Sequence, residues 1–251
     1  METKKFKYVY DKPEALVDKT THYCPGCGHG IVHKLLSEVI DELGVREKAI
    51  VVAPVGCSVL IYDYMNFDGC EASHGRAPAV ATGLKRVNPD SVVISYQGDG
   101  DLLAIGTGEA IHAANRGENF TTIFINNAIY GMTGGQMAPT TLKGQVTTTS
   151  PHGRNPANAG MPLKMSEIVS NFDGVAYVER VSCNTANNAR KTKKALQKAM
   201  KISEQKIGTS FIEVVSNCPS GWKCTPVQSL DWIKDEQIPY FPLGVLKEPG
   251  K

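Results

Sequence analysis

The sequence predicts an α/β fold, a mainly parallel sheet flanked by helices, on three observations. Short apolar runs rich in β-branched residues, such as Ser91–Tyr96 and Thr121–Ile125, have the length of buried strands. Segments with helical apolar spacing alternate with them, as βαβ units require. Turn and ligand-type residues, above all Gly98-Asp99-Gly100, fall where strands end, the edge at which such sheets bind ligands. A length of 251 residues with 41% hydrophobic content suits one domain spanning 1–251.

Taken in order, Ile31 to Leu43 carries apolar residues at 31, 32, 35, 36, 39, 40 and 43 and closes on Gly44, which predicts a helix. The apolar run Ile50–Gly56 predicts a strand that delivers Cys57 to a loop. Ala77–Arg86 is helix-like and follows His74-Gly75-Arg76. Strand Ser91–Tyr96, helix Leu103–Asn115 and strand Thr121–Ile125 then form one βαβ unit. Residues 134–164 show neither period, and a loop of about 30 residues is uncommon unless it is functional or disordered. Its place directly after a strand end predicts that it covers a site or a partner; a mobile linker is the alternative. Ala176–Val181 and Phe211–Val215 add strands. Between them Arg190, Lys191, Lys193, Lys194, Lys198, Lys201 and Lys206 are placed on a helix whose apolar stripe is Leu196, Ala199, Met200 and Ile207. Trp222, Trp232, Tyr240 and Phe241 lie in a proline-punctuated segment, and 239–251 is expected to be an extended arm, packed on the domain or anchored in a neighbouring subunit.

A net charge of +2 gives no electrostatic case for nucleic acid. Residues 1–20 contain no apolar stretch of signal-peptide length, and no run approaches a membrane span, so a reducing, cytoplasmic location is expected. Seven cysteines, an odd number, rule out a complete disulfide framework within a lone chain and read as metal ligands or redox groups.

Two sets of residues carry chemistry. Asp99 and, 28 residues later, Asn127 each stand at a strand end and offer an oxygen to a hard divalent cation. Mg2+ takes a few such oxygens and completes its shell with substrate phosphates. Gly98 and Gly100 let backbone amides approach phosphate oxygens, and a helix starting near Leu102 would turn its positive end toward them. The set therefore reads as a clamp for a metal-bound diphosphate. Cys24-Pro25-Gly26-Cys27 is a CxxC turn that zinc, a redox pair and an iron–sulfur cluster all use. Cys57 and Cys218 each follow a predicted strand, while Cys70, Cys183 and Cys224 are left over.

These residues resemble the signature of thiamine diphosphate enzymes. More narrowly, HYCPGCGHG (22–30), PVGCS (54–58), EASHGRAPAVATGLK (71–85), GDGD (98–101), NNAIYGMTGGQMAPTT (126–141) and NCPSGW (217–222) resemble the β subunits of 2-oxoacid:ferredoxin oxidoreductases. The resemblance implies a thiamine diphosphate-binding fold, with Mg2+ held by Asp99, Asn127 and the carbonyl of Ile129. It further implies a 4Fe-4S cluster on Cys24, Cys27, Cys57 and Cys218. His74 is implied close to the cofactor as a catalytic residue orienting reacting groups or the diphosphate. Ser58, Gly75, Arg76, Asp101, Tyr130, Gly131, Met132 and Thr133 are implied around the cofactor.

The function so implied is oxidative decarboxylation of a 2-oxo acid with coenzyme A to acyl-CoA and CO2, electrons passing to ferredoxin in anaerobic metabolism. The cofactor accepts an electron pair and a ferredoxin takes one electron at a time, so the cluster divides the pair. The glutamate that activates the aminopyrimidine is expected on an α subunit, with γ and ferredoxin-like δ subunits as further partners. The MTGGQMAPTT stretch resembles subunits acting on branched-chain 2-oxo acids such as 2-oxoisovalerate, or on 2-oxoglutarate. The basic helix is then a solvated face or a docking surface for an acidic ferredoxin. The competing functions are a non-redox thiamine diphosphate-dependent decarboxylase or carboligase with structural zinc, and a nonenzymatic zinc-stabilised module.

Overall fold

The computed structural model describes residues 10–250. The reading of 1–20 as leaderless falls in part on residues 1–9, and the end of the 239–251 arm on residue 251, outside the described residues. The described elements are α1 (Gly28–Leu43), β1 (Ala49–Ala53), β2 (Asp68–Glu71), α2 (Ala77–Val87), β3 (Val92–Gly98), α3 (Thr107–Asn115) and β4 (Thr121–Asn126). They continue with α4 (Pro156–Ala159), α5 (Met165–Val169), β5 (Val175–Ser182), α6 (Ala186–Glu204), β6 (Thr209–Val215), α7 (Pro219–Trp222), α8 (Pro226–Trp232) and β7 (Gly244–Lys247).

The strands form one seven-stranded sheet in the order β2-β1-β3-β4-β6-β5-β7, parallel throughout except for β7, which runs antiparallel to β5. Alternate residues enter cores on opposite faces, as the two-residue period of a strand dictates. Val51, Ile94, Ile123 and Ile212 pack with α1 and α6 residues such as Leu36 and Leu196. On the other face, Val52 and Val93 pack with Ala77 and Ala81 of α2, and Phe124 and Phe211 with Ala110 of α3 and Met165 of α5. No helix among the described residues is long and apolar enough to cross a membrane.

Parallel pairing sends every carboxyl end to one edge. Cys57 follows β1, His74 follows β2, Asp99 follows β3, Asn127 follows β4 and Cys218 follows β6. The chain leaves β1 for β2 on one side and returns through β3 on the other, so this edge carries the reversal of strand order at which open sheets bind ligands.

Several expectations are corrected. The first strand ends at Ala53, because Pro54 and the positive φ of Gly56 (134°) turn the chain away. The βαβ crossover does not begin as a regular helix near Leu102: Gly100–Ile105 forms a wide π-type turn and α3 starts at Thr107. The break is at Gly106, where a Cβ would lie 2.3 Å from the Asp101 carbonyl oxygen and 2.6 Å from that of Gly75. Ile207 leaves the buried stripe of α6; it lies beyond the helix, half exposed, after Lys206 adopts a left-handed φ of 57°. Three of the seven basic residues pair within the chain: Lys193 with Glu38 and Glu42, Lys198 with Glu248, and Lys206 with Asp90.

Residues 134–164 are tied down. The buried Arg154 guanidinium donates to six carbonyl oxygens, those of Ala138, Pro139, Thr141, Ala159, Gly160 and Met161, at 2.9–3.2 Å. The C-terminal aromatics pack on this chain itself: Trp222 and Trp232 lie 4.3 Å apart, Phe241 is fully buried beneath Arg180, and Tyr240 donates to the Pro162 carbonyl.

Candidate active site

Asp99 closes β3 in a buried position, 3% exposed, with its carboxylate accepting from the Thr140 hydroxyl at 2.8 Å. Burial outweighs that bond and the backbone N–H donors, and pushes the carboxyl up to about 7. From the end of β4, Asn127 turns its side-chain oxygen toward Asp99 Oδ2 at 3.2 Å and the Ile129 carbonyl oxygen at 2.7 Å. That amide oxygen also accepts from the Ile129 N–H, at 3.3 Å. Ala128 between them holds a left-handed φ of 58°, rare for a residue with a Cβ, which brings the Asn127 and Ile129 oxygens to one side. The outer face of this turn is braced by Trp222, whose indole N–H donates to the Asn127 carbonyl, and by Thr141, which donates to that of Ala128.

Three oxygens facing one another repel unless the amide turns over to donate to both neighbours or a cation sits among them. A carboxylate, an amide oxygen and a backbone carbonyl are the ligands a hard divalent cation takes. Asn126 takes no part: its side chain points the other way, donating to the buried Glu213 at 2.7 Å, where Arg180 also binds.

The same turn continues to the cysteines. An added Cβ at Gly131 would lie 2.9 Å from Cys218 Sγ and 3.6 Å from Cys57 Sγ. Cys57 accepts the backbone N–H of Met132, Cys218 that of Gly221, and Cys27, at the N-terminus of α1, that of His29. Burial nevertheless raises all three thiols, Cys57 to about 11 and Cys218 to about 12. Cys24 is exposed at the mouth of the turn. Among the described residues no three His, Cys, Asp or Glu side chains converge on a single metal ion.

A cleft runs between these two sets, lined in part by Ser58, His74, Gly98, Gly100, Tyr130 and Thr133. His74 Nδ1 lies 2.7 Å from Asp101 Oδ1 and donates to that carboxylate. Asp101 is buried and fully engaged: Oδ1 also accepts from the N–H of Gly75 and of Val55, and Oδ2 from the Gln97 amide at 2.6 Å. It ties the ends of three strands together.

Residues 54–214 match the thiamine pyrophosphate enzyme, C-terminal TPP binding domain family. The 2-oxoglutarate synthase subunit KorB of Methanocaldococcus jannaschii is 41% identical over 229 residues, covering 88% of this chain and 80% of that one. The chain belongs to the 2-oxoacid:ferredoxin oxidoreductase family. The ketoisovalerate oxidoreductase subunit VorA of Methanothermobacter thermautotrophicus is 46% identical over 247 residues, covering 94% of this chain and 52% of that one. The chain thus spans about half the length of its VorA relatives. The fold also matches the solved 2-oxoglutarate:ferredoxin oxidoreductase from Magnetococcus marinus, with 2-oxoglutarate, coenzyme A and succinyl-CoA bound. The TM-score is 0.79 and the identity 26%, with 98% of this chain and 87% of that chain covered.

Within this member of the 2-oxoacid:ferredoxin oxidoreductase family, most residues expected around the cofactor line one cleft; Gly75 and Arg76 do not, nor do Cys24, Cys27 and Cys218 of the expected cluster set. Gly75 gives its N–H to Asp101, and Arg76 is drawn away by an ion pair with Glu109 and a bond to the Ile105 carbonyl. Asp101 contributes by holding His74, its own carboxylate being filled by protein donors. A Cβ at Gly100 would lie 3.1 Å from the Tyr130 ring, a tight contact. His29 lines the cleft, buried at 3% exposure, and was not singled out from the sequence. Its only signal was its place in the HYCPGCGHG stretch.

Proposed function

We propose that this chain is the thiamine diphosphate-binding subunit of an oxidoreductase that converts a branched-chain 2-oxo acid, such as 2-oxoisovalerate, and coenzyme A to acyl-CoA and CO2, with ferredoxin as acceptor. One observation carries the reading: the turn Asn127–Thr133 brings the Asn127 side-chain amide and the Ile129 carbonyl against Asp99 and packs Gly131 and Met132 against Cys218 and Cys57. A diphosphate clamp and a thiolate set share one backbone segment.

Thiamine diphosphate, when bound, supplies a nucleophilic carbon and an electron sink, and a 4Fe-4S cluster passes electrons on singly. Asp99, Asn127 and the Ile129 carbonyl would hold Mg2+ against the diphosphate, with the three convergent oxygens as the fit. Cys24, Cys27, Cys57 and Cys218 would hold the cluster, and N–H bonds to three of the four sulfurs stabilise thiolate charge. Both carboxylates that line the cleft are committed, Asp99 to the metal and Asp101 to His74. The glutamate that activates the aminopyrimidine is therefore assigned to a partner α subunit, with γ and ferredoxin-like δ subunits completing the assembly.

The substrate class rests on the lining. It contains no Lys or Arg to pair with the distal carboxylate of 2-oxoglutarate, and its rim presents Ile105 and Met132, exposed at 48% and 57%. An apolar side chain fits such a wall better than an acidic one. Ferredoxin reduction by the complex reconstituted with its α subunit tests this against 2-oxoisovalerate, 2-oxoglutarate, pyruvate and indolepyruvate. Highest kcat/KM on 2-oxoisovalerate is expected; preference for 2-oxoglutarate overturns the substrate class, and no oxidative turnover of any of them overturns the function.

A further inference from the structure

His29 is enclosed by two tyrosines. Tyr23 stacks on its ring at 4.8 Å with 12° between the planes, and the Tyr96 hydroxyl lies 2.8 Å from Nδ1. Tyr96 stands inside β3 with no exposed surface, and His29 Nδ1 is its only side-chain hydrogen-bond partner among the described residues. A buried phenol whose O–H finds no acceptor is costly, so Tyr96 donates to Nδ1. Nδ1 then carries no proton, and the neutral ring carries it on Nε2. That Nε2–H has no protein acceptor among the described residues. It is also not one of the fully enclosed orphan atoms, unlike His33 Nδ1, and His29 lines the cleft beside Cys57 and Ser58. The cleft therefore holds a fixed donor at His29.

We propose that His29 donates a hydrogen bond from Nε2 to the carbonyl oxygen of the bound 2-oxo acid, which gains negative charge as its carbon is attacked. Tyr96 is the positioning residue that sets the donor form. The inference rests on the functional reading above. No proton leaves His29; the bond strengthens as charge develops on the oxygen, which is where a preorganised donor accelerates a reaction.

The test uses the full chain and its reconstituted complex. Imidazole 15N–1H correlation spectra of the full chain read the tautomer directly, with protonated Nε2 expected for His29 and a mixture in Tyr96→Phe. In the complex, His29→Phe should lower kcat about 10²–10³-fold, the cost of removing one such donor, with KM for the 2-oxo acid changed only a few-fold. His29→Gln, which keeps a donor, should recover most of the loss. Tyr96→Phe leaves His29 in place and should lower kcat about tenfold. A protonated Nδ1 in the wild type overturns the proposal. So does a His29→Phe complex within about threefold of wild-type kcat, or a Tyr96→Phe chain with unchanged tautomer and turnover. Thiamine diphosphate binding is measured first by calorimetry: a wild-type complex that binds none defeats the functional reading itself, whereas binding with unaltered variant turnover defeats only the role of His29.

Discussion

Gly131 lies against Cys218 so closely that a single methyl group on its Cα would sit 2.9 Å from Sγ. Its φ is not in the left-handed region, so alanine is conformationally allowed and the contact alone makes glycine necessary. Gly131→Ala is expected to reduce iron and sulfide content by at least half while leaving thiamine diphosphate affinity within a few-fold. Metal analysis and calorimetry on the same sample check both halves.

Asp99 couples the site to pH. Its carboxyl is raised from 3.8 to about 7 by burial, so the folded chain binds more protons than the unfolded one between those values. Stability of the cofactor-free chain should therefore fall as pH rises from about 4 to about 7, by up to about 4 kcal/mol. Mg2+ among the three oxygens reverses the penalty. The rise in Tm on adding Mg2+ and thiamine diphosphate should be larger at pH 8 than at pH 6. In Asp99→Asn the pH dependence should shrink and cofactor affinity fall at least about 100-fold, as thermal scans and calorimetry across that range will show.

Arg154 holds residues 134–164 through six carbonyls, and Thr140 of that segment reaches Asp99. Arg154→Met takes the guanidinium from all six carbonyls, of which those of Ala138 and Pro139 keep a backbone donor, and should cost about 2 kcal/mol. Limited proteolysis should then cut first between residues 134 and 164, and denaturant titration gives the loss.

Asp101 separates a positioning role from a cofactor contact. Asp101→Asn keeps the shape but lacks the charge that fixes the His74 tautomer and accepts from Gly75 and Val55. Its kcat should fall about tenfold or more with thiamine diphosphate affinity nearly unchanged, measured in the reconstituted complex.

How far the sequence led can be judged from particular residues. Asp99, Asn127, Cys57 and Cys218 were legible because each follows an apolar run that only a buried strand explains, and parallel pairing then gathers strand ends on one edge. The end of the first helix was legible in Gly44, whose φ of 64° is the left-handed cap. The pairing of Arg76 with Glu109 was not legible, because Glu109 lies 33 residues away on α3 and no local pattern reports it. His29 was missed for the same reason: Tyr96, which sets its tautomer, is 67 residues distant and reads as one more apolar strand residue. The wide turn at Gly100–Ile105 was hidden because it arises from the close approach of Gly106 to Gly75, a tertiary contact.

The central claim, that one turn joins the diphosphate clamp to a thiolate-held cluster, is tested most directly by quantifying iron, acid-labile sulfide and zinc. The samples are the anaerobically purified complex and its Cys57→Ala counterpart. The account predicts that the variant loses about four iron and about four sulfide per copy of this chain relative to wild type. Equal iron and sulfide in both, or a wild type in which the chain carries zinc and contributes no iron, would contradict it.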